Sequence, residues 1–267
     1  LKGEPGLAVG NAVGSCICNI GLVLGVTGAI KQVEIHPGSL KAPLIALFAA
    51  SLVLFIMTLD LKITREQGVI LLVLGASYFL FDLLKHLKPE WKGQIAEAKV
   101  IEDAIAKATG FWPTRTGTIV QFIGGAVLVI AGSRWLVDAA VSIAGHFGIS
   151  PLVIGLTVVA LGTSLPELVT AVTSSRKKVS DLAVGNVLGA NIANLSLIIG
   201  TAATINEVTL TRGTQLFNFP AMLVFNFILL IFLFTGKRLT RAEGWTLIGF
   251  YAVYIILLIV LTSMKKL

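Results

Sequence analysis

The sequence has 267 residues, of which 55% are hydrophobic and 13% are charged, and its mean hydropathy is +0.90. A soluble chain of this length needs roughly twice that charged fraction to cover its surface, so the composition excludes a soluble enzyme, a disordered linker and a secreted disulfide scaffold. The net charge of +7 comes from basic residues in short loops between apolar runs, which argues for a membrane protein and against nucleic-acid binding.

Eight apolar runs are long enough to cross a hydrocarbon core of about 30 Å, which takes roughly 20 residues in a helix. They cover residues 7–28, 40–59, 67–84, 117–145, 151–175, 181–203, 215–235 and 243–263. The predicted fold class is therefore an all-α polytopic membrane protein. The second, third, seventh and eighth runs carry little that could do chemistry, and we interpret them as scaffold.

Basic residues are distributed unequally between the two sides of the predicted membrane. Alternate loops carry 14 Lys and Arg residues on one side and 6 on the other, with Arg134 inside the fourth run counted apart. The side with more basic residues is expected to be cytoplasmic, which places the C-terminus outside. The compact loops favour a prokaryotic inner membrane. The longest polar stretch, residues 85–116, predicts a short amphipathic cytoplasmic helix, either a connector on the membrane surface or a regulatory element.

An internal repeat links the first and sixth runs. Residues 7–25 read LAVGNAVGSCICNIGLVLG and residues 182–200 read LAVGNVLGANIANLSLIIG, which match at 10 of 19 positions without a gap. Five crossings separate the two copies, and an odd number means that they enter the membrane from opposite sides. Inverted repeats of this kind are typical of secondary transporters, in which two antiparallel halves frame a site near the bilayer midplane.

Each copy of the repeat carries a stripe along one helical face, with its members four residues apart. These are Asn11, Ser15 and Asn19 in the first copy and Asn186, Ala190 and Asn194 in the second. Lipid-facing positions would carry Leu or Val, so the carboxamides must serve another purpose. They either hydrogen bond between helices or contribute oxygens to a cation site, and the sequence leaves both interpretations open.

The fifth run contains Glu167 about 16 residues from its start, near the middle of the membrane. A carboxylate at that depth costs about 2.5–3.5 kcal/mol to insert, so it indicates a functional site. Pro166 lacks an N–H and frees the carbonyl of Gly162, which predicts a break in the helix. Thr163 and Ser164 lie four and three residues before Glu167, so their hydroxyls share its face.

These groups together form a cluster of hard oxygen atoms. Oxygen ligands suit Ca²⁺ or Na⁺, and the lack of a His or Cys partner argues against zinc or copper. Cys16 and Cys18 point about 200° apart on a helix, so we interpret both as small packing residues. The alternative is that Pro166 only kinks the helix and that Glu167 pairs with a buried base such as Arg134.

The stretch from Gly162 to Leu168, followed by the stretch from Asp181 to Asn194, resembles the second repeat of the prokaryotic sodium/calcium exchangers, within the cation/calcium antiporter superfamily. The resemblance covers essentially the whole chain and implies a ten-helix antiporter, not an enzyme, that exports Ca²⁺ in exchange for Na⁺ by alternating access. It implies no cofactor, with these ions as substrates and the lipid bilayer as surroundings. The positions that match the family's ion-binding residues are Glu167, Thr163, Ser164, Asn194, Asn19 and Ser15.

The sequence departs from the family pattern in two places. Ala190 lacks the hydroxyl that Ser15 supplies in the first copy. The family's first repeat also needs a Gly-Thr-Ser-x-Pro-Glu helix and one further helix ahead of Leu7, so we expect eight segments of ten. The missing helix, or a second chain, would then supply the second carboxylate of a Ca²⁺ site. The expected domains are 1–84, the remainder of the first repeat; 85–116, a connecting loop; and 117–267, the second repeat.

Other functions remain open at this point. A Ca²⁺/H⁺ antiporter would use the same fold, although the hydroxyl pair of Thr163 and Ser164 favours sodium. The chain as given could also be a truncated, non-transporting membrane fragment. An ion channel is disfavoured because the repeat is inverted and the site holds few charges.

Overall fold

A computed structural model describes residues 5–34, 37–86, 115–146, 157, 160–176, 180–236 and 238–264. The first part forms helix α1 (Pro5–Cys18), the wide helical turn π1 (Asn19–Leu24), α2 (Gly25–Ile30), β1 (Val33–Glu34), α3 (Pro37–Met57), β2 (Lys62–Ile63) and α4 (Arg65–His86). The middle forms α5 (Arg115–His146), the short α6 (Ala160–Thr163) and α7 (Leu165–Arg176). The last part forms α8 (Ser180–Ala193), π2 (Asn194–Ile198), α9 (Ile199–Ile205), β3 (Val208–Thr209), π3 (Thr214–Asn218), α10 (Phe219–Gly236), β4 (Arg238–Leu239) and α11 (Arg241–Ser263).

The helices confirm an all-α polytopic membrane protein. Within the described ranges, six helical stretches are long and apolar enough to cross a bilayer: Val9–Ile30, Leu40–Met57, Arg65–Lys85, Leu182–Ile205, Thr214–Phe232 and Arg241–Ser263. They coincide with six of the predicted segments. The fourth predicted segment is helix α5, whose apolar part is Ile119–Gly132. The fifth is described from Ala160 onward, and the amphipathic helix predicted within 85–116 lies outside the described residues.

The two halves of the chain are related by a pseudo-two-fold axis. Strand β1 pairs antiparallel with β4, and β2 pairs antiparallel with β3. In the two copies of the repeat, β1 corresponds to β3 and β2 corresponds to β4. The β1–β4 pair is therefore related to the β2–β3 pair by the same two-fold axis. The helices follow the same rule, because α4 packs against α9 and α11 packs against α2. The strand pairing also puts loops that were predicted to share a side of the membrane at the same end of the molecule.

The axis passes between residues that are each other's counterparts. Asn191 lies 175 positions after Cys16; its Nδ2 donates to the Cys16 carbonyl at 3.2 Å, and the Cys16 thiol donates to the Asn191 carbonyl at 3.7 Å. Asn226 lies 175 positions after Ser51 and donates its Nδ2 to the Ser51 hydroxyl at 2.7 Å. Helix α1 packs against π2 and α9, and α8 packs against π1, so the two copies cross antiparallel. The predicted inverted repeat is therefore confirmed.

The repeat continues into the helices that follow the strands. Thr64 and Gln67 exchange hydrogen bonds through side chain and backbone at the start of α4, and Thr240 and Glu243 do the same at the start of α11. Both are capping boxes, which satisfy donors that a helix start otherwise leaves unpaired. These two Thr residues stand 176 positions apart, so the sequence relation extends well beyond the 19 residues of the best match.

Glycines bring the paired helices into close contact. A Cβ placed on Gly244 in α11 would meet the Ala29 nitrogen and would lie 2.7 Å from the Gly25 carbonyl oxygen. A Cβ on Gly68 in α4 would lie 2.9 Å from the Gly200 carbonyl oxygen, in the symmetry-related interface. Small residues of this kind let membrane helices approach closely enough to pack without a hydrophobic driving force.

The seventh predicted segment buries several polar side chains, which its interpretation as plain scaffold did not predict. These side chains are Thr214, Gln215 and Asn218 in the π3 turn and Asn226 in α10. Gln215 accepts a hydrogen bond from the Thr58 hydroxyl at 2.6 Å, and Asn218 accepts one from the Tyr254 hydroxyl at 3.1 Å. These bonds join the π3 turn to the residue that follows α3 and to α11, as interhelical polar contacts do in membranes.

Candidate cation-binding site

The predicted break in the fifth segment is present. Helix α6 ends at Thr163, Ser164 forms a turn, and α7 begins at Leu165. The Ser164 N–H donates to two carbonyls of α6, those of Ala160 at 3.2 Å and Leu161 at 3.1 Å. Pro166 has no N–H to offer the next carbonyl, so the Gly162 oxygen loses its normal helical donor. The break therefore leaves the Gly162 carbonyl oxygen without a helical donor, close in sequence to the hydroxyls of Thr163 and Ser164.

Glu167 lies in the first turn of α7 and is half-buried. The positive end of the helix dipole favours a carboxylate there. Its Oε2 atom is buried and has no hydrogen-bond partner among the described residues, and the same holds for the Ser164 hydroxyl. Arg134 is exposed on α5, which does not support the alternative in which it neutralises Glu167. Both oxygens at the break are therefore available to a ligand.

The first copy of the repeat lies directly against this break. Helix α1 packs on α6, and π1 packs on α7. The Ser15 hydroxyl lies 3.2 Å from the Thr163 hydroxyl, which joins two predicted site residues 148 positions apart. The Cys18 thiol lies beside both Ser164 and Glu167. The structure thus brings Ser15, Thr163, Ser164 and Glu167 to one region, where the first repeat meets the broken helix.

Asn19 opens the π1 turn and is 1% exposed. Its Nδ2 donates to Asn191 Oδ1 at 2.8 Å, while its own Oδ1 is buried and lacks a partner within the described part of the chain. Three further buried oxygens lack a partner in these ranges, namely Asn11 Oδ1, Ser175 Oγ and Asn226 Oδ1. We call Asn19 Oδ1, Ser164 Oγ and Glu167 Oε2, which belong to π1 and to the broken helix packed against it, the open oxygens. Buried polar atoms are normally paired, so this set indicates a binding site.

Asn194 is the counterpart of Asn19 and opens the corresponding turn, π2. It is half-buried and lies beside Cys16. Wide π turns inside α-helices occur often at functional sites, and here both copies of the repeat have one beginning at the predicted Asn ligand. Sequence periodicity alone did not reveal these turns.

Sequence reasoning missed Asn191, which is completely buried and bonded to Asn19. The repeat comparison gave no signal for it, because its counterpart in the first copy is Cys16. It also lies one position off the stripe that contains Ala190 and Asn194. The second copy has one Asn more than the first, and this additional carboxamide is the feature that could have indicated a role for Asn191.

The site combines a single carboxylate with neutral oxygens. Cys16 and Cys18 are both free and buried, as expected of packing residues. Across the residues that the structure describes, no three His, Cys, Asp or Glu side chains come together. Carboxylate, hydroxyl, carboxamide and carbonyl oxygens are ligands for hard cations such as Na⁺ and Ca²⁺. An inverted repeat built around such a cluster defines a secondary transporter for hard cations.

Comparison with known proteins agrees with this class. The chain matches the sodium/calcium exchanger protein family over residues 1–84 and 117–260 and belongs to that family. It is 28% identical over 285 residues to the sodium/calcium exchanger MaX1 of Methanosarcina acetivorans, covering 97% of this chain and 81% of that protein. It is 36% identical over 208 residues to the inner membrane protein YrbG of Escherichia coli, covering 77% of this chain and 62% of that protein.

The fold is also similar to solved structures of the sodium-calcium exchanger NCX_Mj. One of these, soaked with zero Na⁺ and Ca²⁺, has a TM-score of 0.72 and 26% identity and covers 95% of this chain and 77% of the other. The chain is therefore an integral membrane protein of a transporter family and not an enzyme.

Proposed function

We propose that this protein exchanges Ca²⁺ for Na⁺ across the membrane and exports calcium. The observation that carries the proposal is the set of open oxygens at the junction of α1, π1 and the broken helix α6–α7. A buried oxygen without a donor is costly, and a bound cation removes that cost. The proposed ligands are Glu167, Thr163, Ser164, Asn194, Asn19 and Ser15.

The proposed coupling ion is Na⁺. The hydroxyls of Ser15 and Thr163 and the carboxamide of Asn19 are neutral groups that can coordinate an alkali cation but do not titrate near neutral pH. Exchange follows from competition, because Na⁺ and Ca²⁺ use the same oxygens and each displaces the other. The name of MaX1, a sodium/calcium exchanger, supports the same pair of ions.

One carboxylate is few for a Ca²⁺ site, which normally gathers more negative charge. The repeat relation assigns Glu167 a counterpart 175 positions earlier, ahead of residue 1 of this sequence. We propose that a carboxylate at that counterpart position, on the same polypeptide or on a second chain, completes the site.

The proposed transport cycle is alternating access. The two-fold relation means that each half can adopt the conformation of the other, which opens the site to the opposite side of the membrane. The proposed orientation puts the β1–β4 end in the cytoplasm of a prokaryotic cell, with the C-terminus outside, since the loops at that end carry more Lys and Arg.

The test is Ca²⁺ uptake into Na⁺-loaded lipid vesicles that contain the chain. We expect uptake that requires an outward Na⁺ gradient and is lost in Glu167→Gln. Glu207→Gln is the matched control, because Glu207 is an exposed carboxylate in the loop after α9 and should retain full uptake. Uptake driven by a pH gradient and indifferent to Na⁺ would instead establish Ca²⁺/H⁺ exchange. An absence of uptake under every gradient would contradict transport by this chain.

A further inference from the structure

We propose that Asn191 is a positioning residue that fixes which end of the Asn19 carboxamide faces the cation site. The inference rests on the proposed function, since it concerns the affinity of that same site. Hydrogen bonds that join the two copies of the repeat support this role, in which Asn191 itself does not contact the ion.

The orientation of Asn191 is set by a backbone carbonyl. The Cys16 carbonyl oxygen can only accept a hydrogen bond, so the Asn191 atom 3.2 Å from it must be Nδ2. The opposite end of the same carboxamide, Oδ1, then faces Asn19. Turning the amide over would set two oxygens against each other at Cys16, so the backbone enforces one arrangement.

That arrangement determines the orientation of Asn19 in turn. The Asn191 Oδ1 atom accepts from Asn19 at 2.8 Å, so the Asn19 atom in this bond must be Nδ2. The Asn19 oxygen is left on the other side of the carboxamide, buried and without a partner in the described ranges. The chain of constraints runs from the Cys16 carbonyl through Asn191 to Asn19. It presents the negative end of the Asn19 dipole to a cation.

Hydrogen bonding between the helices does not by itself explain this geometry. A carboxamide that serves only to hold two helices together is expected to satisfy both of its ends, because buried polar atoms are almost always paired. Asn19 satisfies its nitrogen and leaves its oxygen open, although it is only 1% exposed. Asn226, on α10, shows the same one-sided pairing. What distinguishes Asn19 is its position in π1, which packs on α7, the helix that carries Glu167. One-sided pairing at that position is the pattern of a preoriented ligand supported by a neighbouring hydrogen bond.

The described residues of the second copy show no equivalent chain of hydrogen bonds that would orient Asn194. The counterpart of Asn191 is Cys16, and the counterpart of Asn19 is Asn194, which lies beside the Cys16 thiol. A thiol is a weak donor and a weak acceptor, so it does not dictate the orientation of a carboxamide. The two Asn residues that begin the π turns are therefore unequal. The orientation of Asn19 is fixed by Asn191, whereas the described neighbour of Asn194 is a thiol, which can serve as donor or acceptor.

The first test is Asn191→Leu, which keeps the approximate volume and removes the acceptor for Asn19. Loss of a group that orients a metal ligand typically costs about 10- to 100-fold in affinity. We expect the half-saturating Ca²⁺ concentration for transport in vesicles to rise about tenfold, with the maximal rate unchanged. The matched control is Asn226→Leu, which removes another buried carboxamide bonded across the repeats, to Ser51. It should leave the half-saturating concentration unchanged.

The second test repeats the substitution in an Asn19→Asp background. A carboxylate has oxygens at both ends and no N–H, so it needs no orienting partner. Asn191→Leu should therefore cost no Ca²⁺ affinity in this background, although it costs about tenfold in the wild-type chain. An equal loss in both backgrounds would show that Asn191 acts through general stability, and it would overturn the proposal.

The same experiments separate this inference from the proposed function. If the wild-type chain binds and transports Ca²⁺, Glu167→Gln abolishes both, and Asn191→Leu has no effect on affinity, then only the positioning role is wrong. If Glu167→Gln leaves Ca²⁺ binding intact, the proposed site itself is wrong and the positioning role falls with it.

Discussion

The hydroxyl oxygens of Ser15 and Thr163 lie 3.2 Å apart, although 148 residues separate them in the chain. Ser15 is 4% exposed on α1, and Thr163 is the last residue of α6, before the helix breaks. The Thr163 hydroxyl also donates to the Ala160 carbonyl at 3.1 Å, so the Ser15 hydroxyl is the donor between the two. This bond joins the first repeat to the broken helix at the edge of the candidate site.

Removing the Thr163 hydroxyl should weaken sodium binding. Thr163→Val keeps the shape of the side chain and deletes one neutral oxygen ligand, at a cost of about 1 kcal/mol, or roughly fivefold in affinity. We expect the half-saturating Na⁺ concentration for Ca²⁺ uptake to rise by about that factor. Thr170→Val is the control, because the Thr170 hydroxyl bonds to the Pro166 carbonyl of its own helix and, in the described ranges, to no residue of the first repeat. Equal Na⁺ dependence in both variants would remove Thr163 from the site.

Repairing the helix break should cost transport while it gains stability. Pro166→Ala returns an N–H to the Gly162 carbonyl and removes a residue that is costly inside a helix. We expect a higher melting temperature and strongly reduced Ca²⁺ uptake. Pro43→Ala is the control, since Pro43 also lies inside a helix, α3, but outside the site. It should keep full uptake, and retention of uptake by Pro166→Ala would mean that the break is not needed.

The close contact between α2 and α11 should not tolerate a methyl group. Gly244→Ala would place its Cβ against the Ala29 nitrogen and the Gly25 carbonyl oxygen, backbone atoms that cannot move aside. We expect a loss of about 1–3 kcal/mol in the free energy of unfolding, seen as a lower melting temperature in detergent. Gly249→Ala on the same helix is the control, because no described atom lies within 4 Å of its Cβ position. A similar melting temperature for both variants would contradict the interface.

Much of the fold follows from the sequence because the membrane imposes simple rules. Length and apolarity predicted the helices, and the repeat of Asn11 and Asn19 at Asn186 and Asn194 predicted the two-fold relation. Glu167 stood out because an intramembrane carboxylate is costly. Each of these features can be recognised from the sequence without knowing which residues it contacts.

The remaining features depend on contacts between distant parts of the chain. Asn191 is distinguished by its bonds to Cys16 and Asn19, and nothing in its immediate sequence marks it. Asn226 lies in a run whose average hydropathy conceals it, and its role is set by Ser51 on another helix. Hydropathy predicts whether a helix lies in the membrane. It does not predict which residues of other helices will hydrogen bond to its polar side chains.

The most direct test of the proposed site is equilibrium binding of Ca²⁺ to the purified chain, with Na⁺ as competitor. We expect saturable Ca²⁺ binding that Na⁺ displaces, that Glu167→Gln abolishes and that Glu207→Gln retains. Ca²⁺ binding that is indifferent both to Na⁺ and to Glu167→Gln would contradict the proposed site, because the open oxygens would then not be the place where the two ions compete.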